Sequence, residues 1–268
     1  MAVRKTDLQA CCVGLYGHPL AHWLLGDSMH PGGLALTGDL ARLLRLGGGD
    51  HVLDAGSGHG ATAVHLARSF GCRVLGVTLE VEGVISGSNL ARRHGVDGRV
   101  SYLQGDLLQA PLQNGKFDAV VMECVLSILT DQESALRRCH TLLRPGGRLG
   151  LTDMTVSGPL PSELSGLFAS ASCVGGARSL DRYQQMVAAA GLVVDHCQEL
   201  PDVVSALLRQ ISGKLLMADA AVGLGKLPLD RGVLLEARRL LSRAQEVADS
   251  GLIGYGLVVA HRMKAQDG

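Results

Sequence analysis

The sequence predicts an α/β fold with a mostly parallel, seven-stranded sheet and helices on both faces. From residue 51 onward, short apolar runs typical of buried strands alternate with amphipathic stretches typical of helices. This alternation favours parallel strands joined by right-handed crossovers. The first apolar run ends in an acid and a glycine-rich loop, HVLDAGSGHG over residues 51–60. Such a loop lets the backbone approach a ligand closely, because glycine accepts positive φ and leaves room.

Each element follows from its local pattern. Strands are predicted for the short apolar runs, at residues 51–54, 72–79, 100–104, 117–122, 148–153, 192–195 and 253–261. Helices are predicted where apolar residues recur at helical spacing, at residues 34–46, 61–70, 84–94, 131–143 and 180–190, with two or three more within 202–248. The glycines at 47–49 and Gly191 are expected to cap the helices that precede them.

The glycine-rich loop indicates a nucleotide-like ligand. In open α/β sheets, ligands bind beyond the carboxyl ends of the strands, where the ends of the first, second and fourth strands are expected to meet. The loop reads G-x-G-x-G, whereas nicotinamide dehydrogenases usually carry G-x-G-x-x-G. We therefore exclude the dinucleotide interpretation.

Several motifs together resemble one enzyme family. They are VLDAGSGHG, an acid at the end of the second strand, Gly-Asp after the third, FDAVVMECVLSIL, and LLRPGGRLGLTD. Their order and spacing over about residues 50–155 are similar to the class I S-adenosylmethionine-dependent methyltransferases, of the type 11 and arsenite methyltransferase kind. The resemblance implies a Rossmann-like fold, S-adenosyl-L-methionine as cofactor and methyl transfer as the activity.

The resemblance also assigns roles to the loop after the first strand. Asp54 is expected to order this loop and its neighbours at the methionine end of the cofactor. Gly56 and Gly58 are expected to lie against the cofactor, and Ser57 and Gly60 belong to the same binding loop.

The remaining assignments follow the later strands. The ribose-binding acid is expected at Glu80, but Thr78 occupies the other position where the family commonly has an acid, and the sequence leaves both open. The resemblance places Asp106 at the adenine amino group and Leu107 on the ring. After the fourth strand, it places Glu123 and Cys124 at the methyl group. These two are also predicted catalytic residues, as is Cys173.

The amino-acid composition limits the classes of binding partner that are expected. The formal net charge is zero and aromatic residues make up 3% of the chain, so neither a basic stripe nor stacking rings for nucleic acid are expected. No apolar run approaches the roughly 20 residues of a membrane span, and the amino-terminal residues lack a secretory signal pattern. We expect a cytoplasmic protein whose seven cysteines are reduced, with a small-molecule acceptor and no metal cofactor.

Three segments are expected. Residues 1–49 form an amino-terminal helical lid, in which His30 and Trp23 are predicted to contact the acceptor. Residues 50–198 and 249–268 form the methyltransferase core. Residues 199–248 form a helical insertion before the last strand, which either covers the active site or makes a homodimer contact.

The acceptor remains open at this point. Cys173, in SCVGGA, resembles a cysteine that binds trivalent arsenic in arsenite methyltransferases, and Cys11 and Cys12 are predicted to supply further thiols from the lid. Thiolates suit a thiophilic metalloid. The alternative is methylation of an organic metabolite at oxygen, nitrogen or carbon, with a general base among Glu123, His30, His22 and Tyr183. A catalytically silent cofactor-binding protein is the third interpretation.

Overall fold

The computed structural model describes residues 23–26, 28–161, 164, 173–224 and 230–264. Its strands are β1 (His51–Ala55), β2 (Arg73–Thr78), β3 (Val100–Gln104), β4 (Phe117–Glu123), β5 (Leu143–Val156), β6 (Leu192–Glu199) and β7 (Ile253–Arg262). They form one seven-stranded sheet in the order β3-β2-β1-β4-β5-β7-β6. The pairs from β3 to β5 are parallel, whereas β7 is antiparallel to both of its neighbours. The predicted fold class is therefore confirmed.

The described helices lie close to their predicted bounds. They are α1 (Gly33–Leu43), α2 (Ala61–Phe70), α3 (Val81–Arg93), α4 (Gln132–Leu142), α5 (Leu180–Ala189), α6 (Pro201–Gly223) and α7 (Arg231–Asp249). Gly191 follows α5 with φ at 89°, as a cap requires. The expected cap at residues 47–49 is wrong, because α1 already ends at Leu43 and Leu44 is its C-cap.

Two apolar cores flank the sheet. One core includes residues of α1, α2, α3, α6 and α7, and the other includes residues of α4 and α5. Successive strand residues face opposite sides, so Val52 and Val121 belong to the first core while Leu53 and Val120 belong to the second. Residues two positions after Val52 and Val121 therefore project toward α1 and α2.

Helix α1 packs directly on the sheet. Gly150 of β5 lies beneath it, and a Cβ at this glycine would stand 2.7 Å from Leu44 Cδ1 and 2.9 Å from Leu40 Cδ1. Both leucines are fully buried. The described helix of the segment predicted as a lid is thus anchored on the core by close contact.

The insertion consists of α6 and α7, which pack on each other. Lys214 Nζ of α6 donates to the carbonyl oxygens of Trp23 and Leu24, at 2.6 and 3.0 Å. Leu24 also packs against the apolar cluster between the two helices. The insertion therefore holds the chain just before α1. No described helix is long and apolar enough to cross a membrane.

The α1 contact predicts opposite effects of two glycine substitutions. Gly150→Ala should lower the free energy of unfolding by about 1–3 kcal/mol, because the added methyl overpacks the leucines of α1. Gly213→Ala, at an exposed helical position with nothing within 4 Å of the added Cβ, should raise it by up to about 1 kcal/mol. Urea denaturation measures both. Equal effects of the two changes would contradict this account of the contact.

Candidate active site

A cleft opens at the carboxyl ends of β1, β2 and β4, and it encloses about 1160 Å³ together with its mouth. Residues 28–30, just before α1, form part of its wall. Eleven of the predicted site residues line this cleft: His30, Asp54, Gly56, Ser57, Gly58, Thr78, Glu80, Asp106, Leu107, Glu123 and Cys124. Residues more than 90 positions apart in the sequence thus meet at one site, at the sheet edge that the topology favours.

The other predicted site residues lie elsewhere. Gly60 is the N-cap of α2 and packs beneath Tyr102, whose hydroxyl donates to the Gly60 carbonyl oxygen at 3.1 Å. Trp23 is 44% exposed and does not line the cleft. Cys173 is 2% exposed and belongs to the apolar core rather than to the cleft wall. Cys11 and Cys12 lie outside the described residues, as does His22.

The glycine loop curls back onto β2. The backbone N–H groups of Gly56 and Ser57 both donate to the Val77 carbonyl oxygen at 2.9 Å. Gly56 has φ at 87° and packs so tightly against Val125 that a side chain there would overlap it. Gly58 has φ at 48°, and nothing lies within 4 Å of the position of its absent Cβ. The loop therefore presents open backbone to the cleft at Gly58.

Asp54 is a buried carboxyl at the second-to-last position of β1. It accepts a hydrogen bond from the backbone N–H of Ala63. Burial, and secondarily the charge of Glu123, raise the pKa of Asp54 from 3.8 to about 8. Among the described residues, Asp54 Oδ2 and Ser57 Oγ have no hydrogen-bond partner. Buried polar atoms are normally paired, so these two atoms indicate a place for a polar ligand.

The charge of the cleft selects the ligand class. Its described lining contains four carboxyl groups and two imidazoles, but no lysine or arginine. Such a surface repels a pyrophosphate and attracts a cation. The cleft therefore favours a positively charged cofactor over a dinucleotide.

Glu123 ends β4 on the side that faces α1 and α2, and its side chain is 3% exposed. Thr62 Oγ1 of α2 donates to Glu123 Oε2 at 2.7 Å. Thr37 Oγ1 of α1 lies 3.1 Å from Oε1 and 3.0 Å from Oε2. His30 Nε2 lies 3.5 Å from Oε2. The carboxylate thus accepts from two threonine hydroxyls, which offset the cost of its burial.

The turn before α1 places His30. Gly33 N–H donates to the His30 carbonyl oxygen at 3.3 Å, and Met29 has φ at 58°. His30 Nδ1 lies 3.2 Å from the Pro31 carbonyl oxygen. A carbonyl oxygen only accepts hydrogen bonds, so this contact requires the proton on Nδ1. In the neutral imidazole, the basic nitrogen is then Nε2, beside Glu123.

The segment that follows β4 lines the cleft and is fixed by hydrogen bonds to residues of β5. Cys124 has φ at 58°, and its backbone N–H donates to the Thr152 carbonyl oxygen at 2.8 Å. The short 3₁₀ turn at Leu126–Ile128 is tied down by Asp153, whose Oδ2 accepts from Ser127 N–H at 2.9 Å. Burial raises the pKa of Asp153 to about 6. This turn fixes the apolar wall opposite the glycine loop.

Tyr183 lies outside the described lining of the cleft. Its hydroxyl donates to the Met154 carbonyl oxygen at 3.2 Å and accepts from Arg178 N–H at 3.3 Å. Burial raises the pKa of this hydroxyl far above its usual range. Both contacts hold α5 against β5, so Tyr183 stabilises the scaffold beneath the site.

Sequence reasoning missed Thr37 and Thr62, the two hydroxyl donors to Glu123. One signal was present for Thr62, which stands in the first turn of the helix that follows the glycine loop. No local pattern marks Thr37, which is 86 positions from Glu123 along the chain.

Comparison with known proteins confirms the predicted enzyme class. Residues 53–151 match the model of a methyltransferase domain. The chain is 28% identical over 255 residues to the 27-O-demethylrifamycin SV methyltransferase of Amycolatopsis mediterranei (strain S699), covering 92% of this chain and 91% of that protein. The chain is an S-adenosylmethionine-dependent methyltransferase, as its resemblance to the class I enzymes implied. The unpartnered Asp54 Oδ2 and the lysine-free and arginine-free described lining of this methyltransferase fit the cationic cofactor of the family.

Two further similarities concern the acceptor. The methyltransferase is 36% identical over 139 residues to an arsenite methyltransferase of Aquipseudomonas alcaligenes, covering 48% of this chain and 40% of that one. A crystal structure of the [4+2]-cyclase SpnF superposes with a TM-score of 0.79 and 20% identity, covering 99% of each chain. The second similarity shows the fold alone, so the acceptor must be argued from the site.

Buried Asp54 predicts a pH dependence of stability. Its pKa is raised from 3.8 to about 8 in the folded protein, so unfolding lets it ionise between these values. This group should therefore lower the free energy of unfolding of the cofactor-free protein by about 1.4 kcal/mol per pH unit as pH rises through this window. Asp54→Asn removes this dependence. Urea denaturation of both proteins at several pH values gives the two slopes, and parallel slopes would contradict the assignment.

Proposed function

We propose that this methyltransferase methylates a hydroxyl oxygen of a small organic molecule, with His30 as the general base. The observation that carries the proposal is the pair of His30 and Glu123, which lies inside the cleft with 3.5 Å between Nε2 and Oε2. A hydroxyl is a weak nucleophile until its proton is removed. The cleft holds a group suited to removing it.

The proton moves to a defined atom. Nδ1 of His30 is occupied by the Pro31 carbonyl, so Nε2 takes the proton of the acceptor hydroxyl. The resulting imidazolium is stabilised by the carboxylate of Glu123 beside it. Glu123 itself accepts hydrogen bonds from Thr37 and Thr62. We therefore assign Glu123 the role of charge partner to the base rather than of the base.

The cofactor contacts form part of the same proposal. When bound, S-adenosylmethionine supplies an electrophilic methyl group on its sulfonium. Gly58 offers open backbone and Asp54 an unpartnered carboxyl oxygen at the glycine loop, which supports binding of the methionine end there. Asp106 and Leu107 line the far side, as the adenine site requires.

Glu80 is the better ribose ligand of the two alternatives. Its side chain lines the cleft and does not cap α3, although Glu80 is the N-cap residue. Thr78 also lines the cleft, but it packs against Gly83 at the start of α3. A carboxylate can accept from both ribose hydroxyls, which supports Glu80.

The cysteines give less support to a metalloid acceptor. Cys124 lines the cleft, whereas Cys173 is buried in the core and Cys197 lies on β6. Among the described residues, no group of three or more histidine, cysteine or acidic side chains could hold a metal ion. One relative that aligns over 92% of the chain is named for an O-demethylated organic substrate, whereas the arsenite methyltransferase covers 48% of this chain.

In this proposal, the two segments outside the core, residues 1–49 and 199–248, form the acceptor-binding side of the cleft. Lys214 of α6 joins the second segment to the described part of the first, because it donates to the Trp23 and Leu24 carbonyl oxygens. His30 extends from the first segment into the cleft. We propose that the two segments act together as a cover over the acceptor, attached to the core at residues 50–198 and 249–268.

The ribose assignment predicts a difference between two substitutions. Glu80→Gln should weaken S-adenosylhomocysteine binding by about tenfold or more, because hydrogen bonds to a charged acceptor contribute about 1.5–3 kcal/mol. Thr78→Val should change the dissociation constant by less than about threefold. Isothermal titration calorimetry measures both constants. A larger loss of S-adenosylhomocysteine affinity in Thr78→Val than in Glu80→Gln would contradict this assignment and indicate that Thr78 binds the ribose.

The proposed acceptor class predicts the outcome of a three-armed assay. Release of S-adenosylhomocysteine is followed with a panel of phenols and aliphatic alcohols, with amines, and with arsenite plus a reducing thiol. Turnover is expected in the hydroxyl arm. His30→Gln should lower kcat in that arm by about 10²–10⁴-fold while the dissociation constant of S-adenosylhomocysteine stays within about threefold.

The control is His196→Gln, at a histidine on β6 that contacts Gln198, and it should turn over like the wild type. Arsenite-dependent turnover that disappears in Cys173→Ser would contradict the hydroxyl proposal and support the metalloid one. Turnover confined to the amine arm and unaffected by His30→Gln would contradict the role of the base.

A further inference from the structure

The two carboxylate oxygens of Glu123 have different numbers of neighbouring polar groups. Glu123 Oε2 accepts a hydrogen bond from Thr62 Oγ1 at 2.7 Å, and His30 Nε2 lies 3.5 Å from the same oxygen. Thr37 Oγ1 lies 3.1 Å from Oε1 and 3.0 Å from Oε2, and among the described residues Thr37 is the donor within hydrogen-bond distance of Oε1. Thr62 belongs to α2, next to the glycine loop, whereas Thr37 belongs to α1. Hydroxyls of both helices thus reach Oε2, whereas Oε1 depends on Thr37 of α1.

Helix α1 brings two groups to the carboxylate at once. Thr37 Oγ1 lies 3.4 Å from His30 Nε2, and the His30 carbonyl oxygen accepts from Gly33 N–H at the start of the same helix. The helix is held on the sheet by Leu40 against Gly150. Thr37 itself is 1% exposed. The hydroxyl therefore stands at a fixed point between the imidazole and the carboxylate.

We propose that Thr37 is a positioning residue, whose hydroxyl ties α1 to Glu123 and keeps the carboxylate turned so that His30 Nε2 remains open to the acceptor. The catalytic part of this inference rests on the proposed role of His30. The structural part is the tie between α1 and Glu123, meaning the hydrogen bond from the Thr37 hydroxyl to the carboxylate, and it does not depend on that role.

The reason lies in the cost of an unpaired buried carboxylate oxygen. A buried acceptor that loses its donor bears its full desolvation cost unless it finds another. If the Thr37 hydroxyl is removed, the next described group near the carboxylate besides Thr62 is His30 Nε2. This nitrogen can donate to Glu123 only when the ring proton moves from Nδ1, beside the Pro31 carbonyl oxygen, to Nε2. In that tautomer Nε2 carries a proton and no longer accepts one from the acceptor hydroxyl.

The test compares three threonine variants. Thr37→Val keeps the shape and removes the hydroxyl, whereas Thr37→Ser keeps the hydroxyl. Thr141→Val is the matched control, because its hydroxyl donates to the Arg137 carbonyl oxygen on α4, away from the cleft. Hydrogen exchange of peptides covering residues 33–43, with and without S-adenosylhomocysteine, reports on the tie. Steady-state kinetics with the acceptor found in the three-armed assay reports on the base.

Thr37→Val should speed exchange of the α1 amides by about tenfold, as expected for the loss of one hydrogen bond to a charged group. Its kcat should fall by about 10²-fold with KM for the cofactor changed by less than about threefold. Thr37→Ser should stay within about threefold of the wild type in both measurements. Thr141→Val should leave the α1 peptides and kcat unchanged.

Wild-type exchange in Thr37→Val would overturn the tie, and so would a serine variant that behaves like the valine variant. A tie that is present without any loss of kcat would overturn the positioning role. If His30→Gln retains wild-type turnover, the proposed function fails, and the exchange data still decide the tie separately.

Discussion

The active site depends on two carboxyl groups that the sheet brings together. Asp54 and Glu123 end neighbouring strands on the same face, and the described cleft around them contains no lysine or arginine. Two buried like charges without cations are costly. Two features of the fold reduce this electrostatic cost. Glu123 accepts hydrogen bonds from two threonine hydroxyls, whereas the raised pKa of Asp54 favours its neutral form.

This constraint connects the scaffold to the chemistry. Because Glu123 needs donors, α1 and α2 must both place a threonine at its carboxylate, which fixes α1 against β5 and sets His30 at the edge of the cleft. Because Asp54 keeps one oxygen unpartnered among the described residues, the cleft retains an attractive site for a cationic ligand. The same two carboxyl groups therefore shape the cofactor site and the proposed base.

Most of the fold could be predicted from the sequence, since buried parallel strands and amphipathic helices leave clear local patterns. The cleft residues Asp54, Glu80 and Asp106 were found because each lies within two residues of the end of a strand. The burial of Cys173 could not be predicted, because it depends on how the chain after β5 packs rather than on a local pattern. Thr37 was missed for a similar reason, since its partner lies 86 positions away.

The most direct test of the account is the number of protons released when S-adenosylmethionine binds, measured by calorimetry in buffers of different ionisation enthalpy. With the pKa of Asp54 raised to about 8, the free protein holds this proton at neutral pH, and a cationic ligand should displace it. We predict release of about one proton per chain near pH 7, and none from Asp54→Asn. Binding without proton release in the wild type would contradict the central claim.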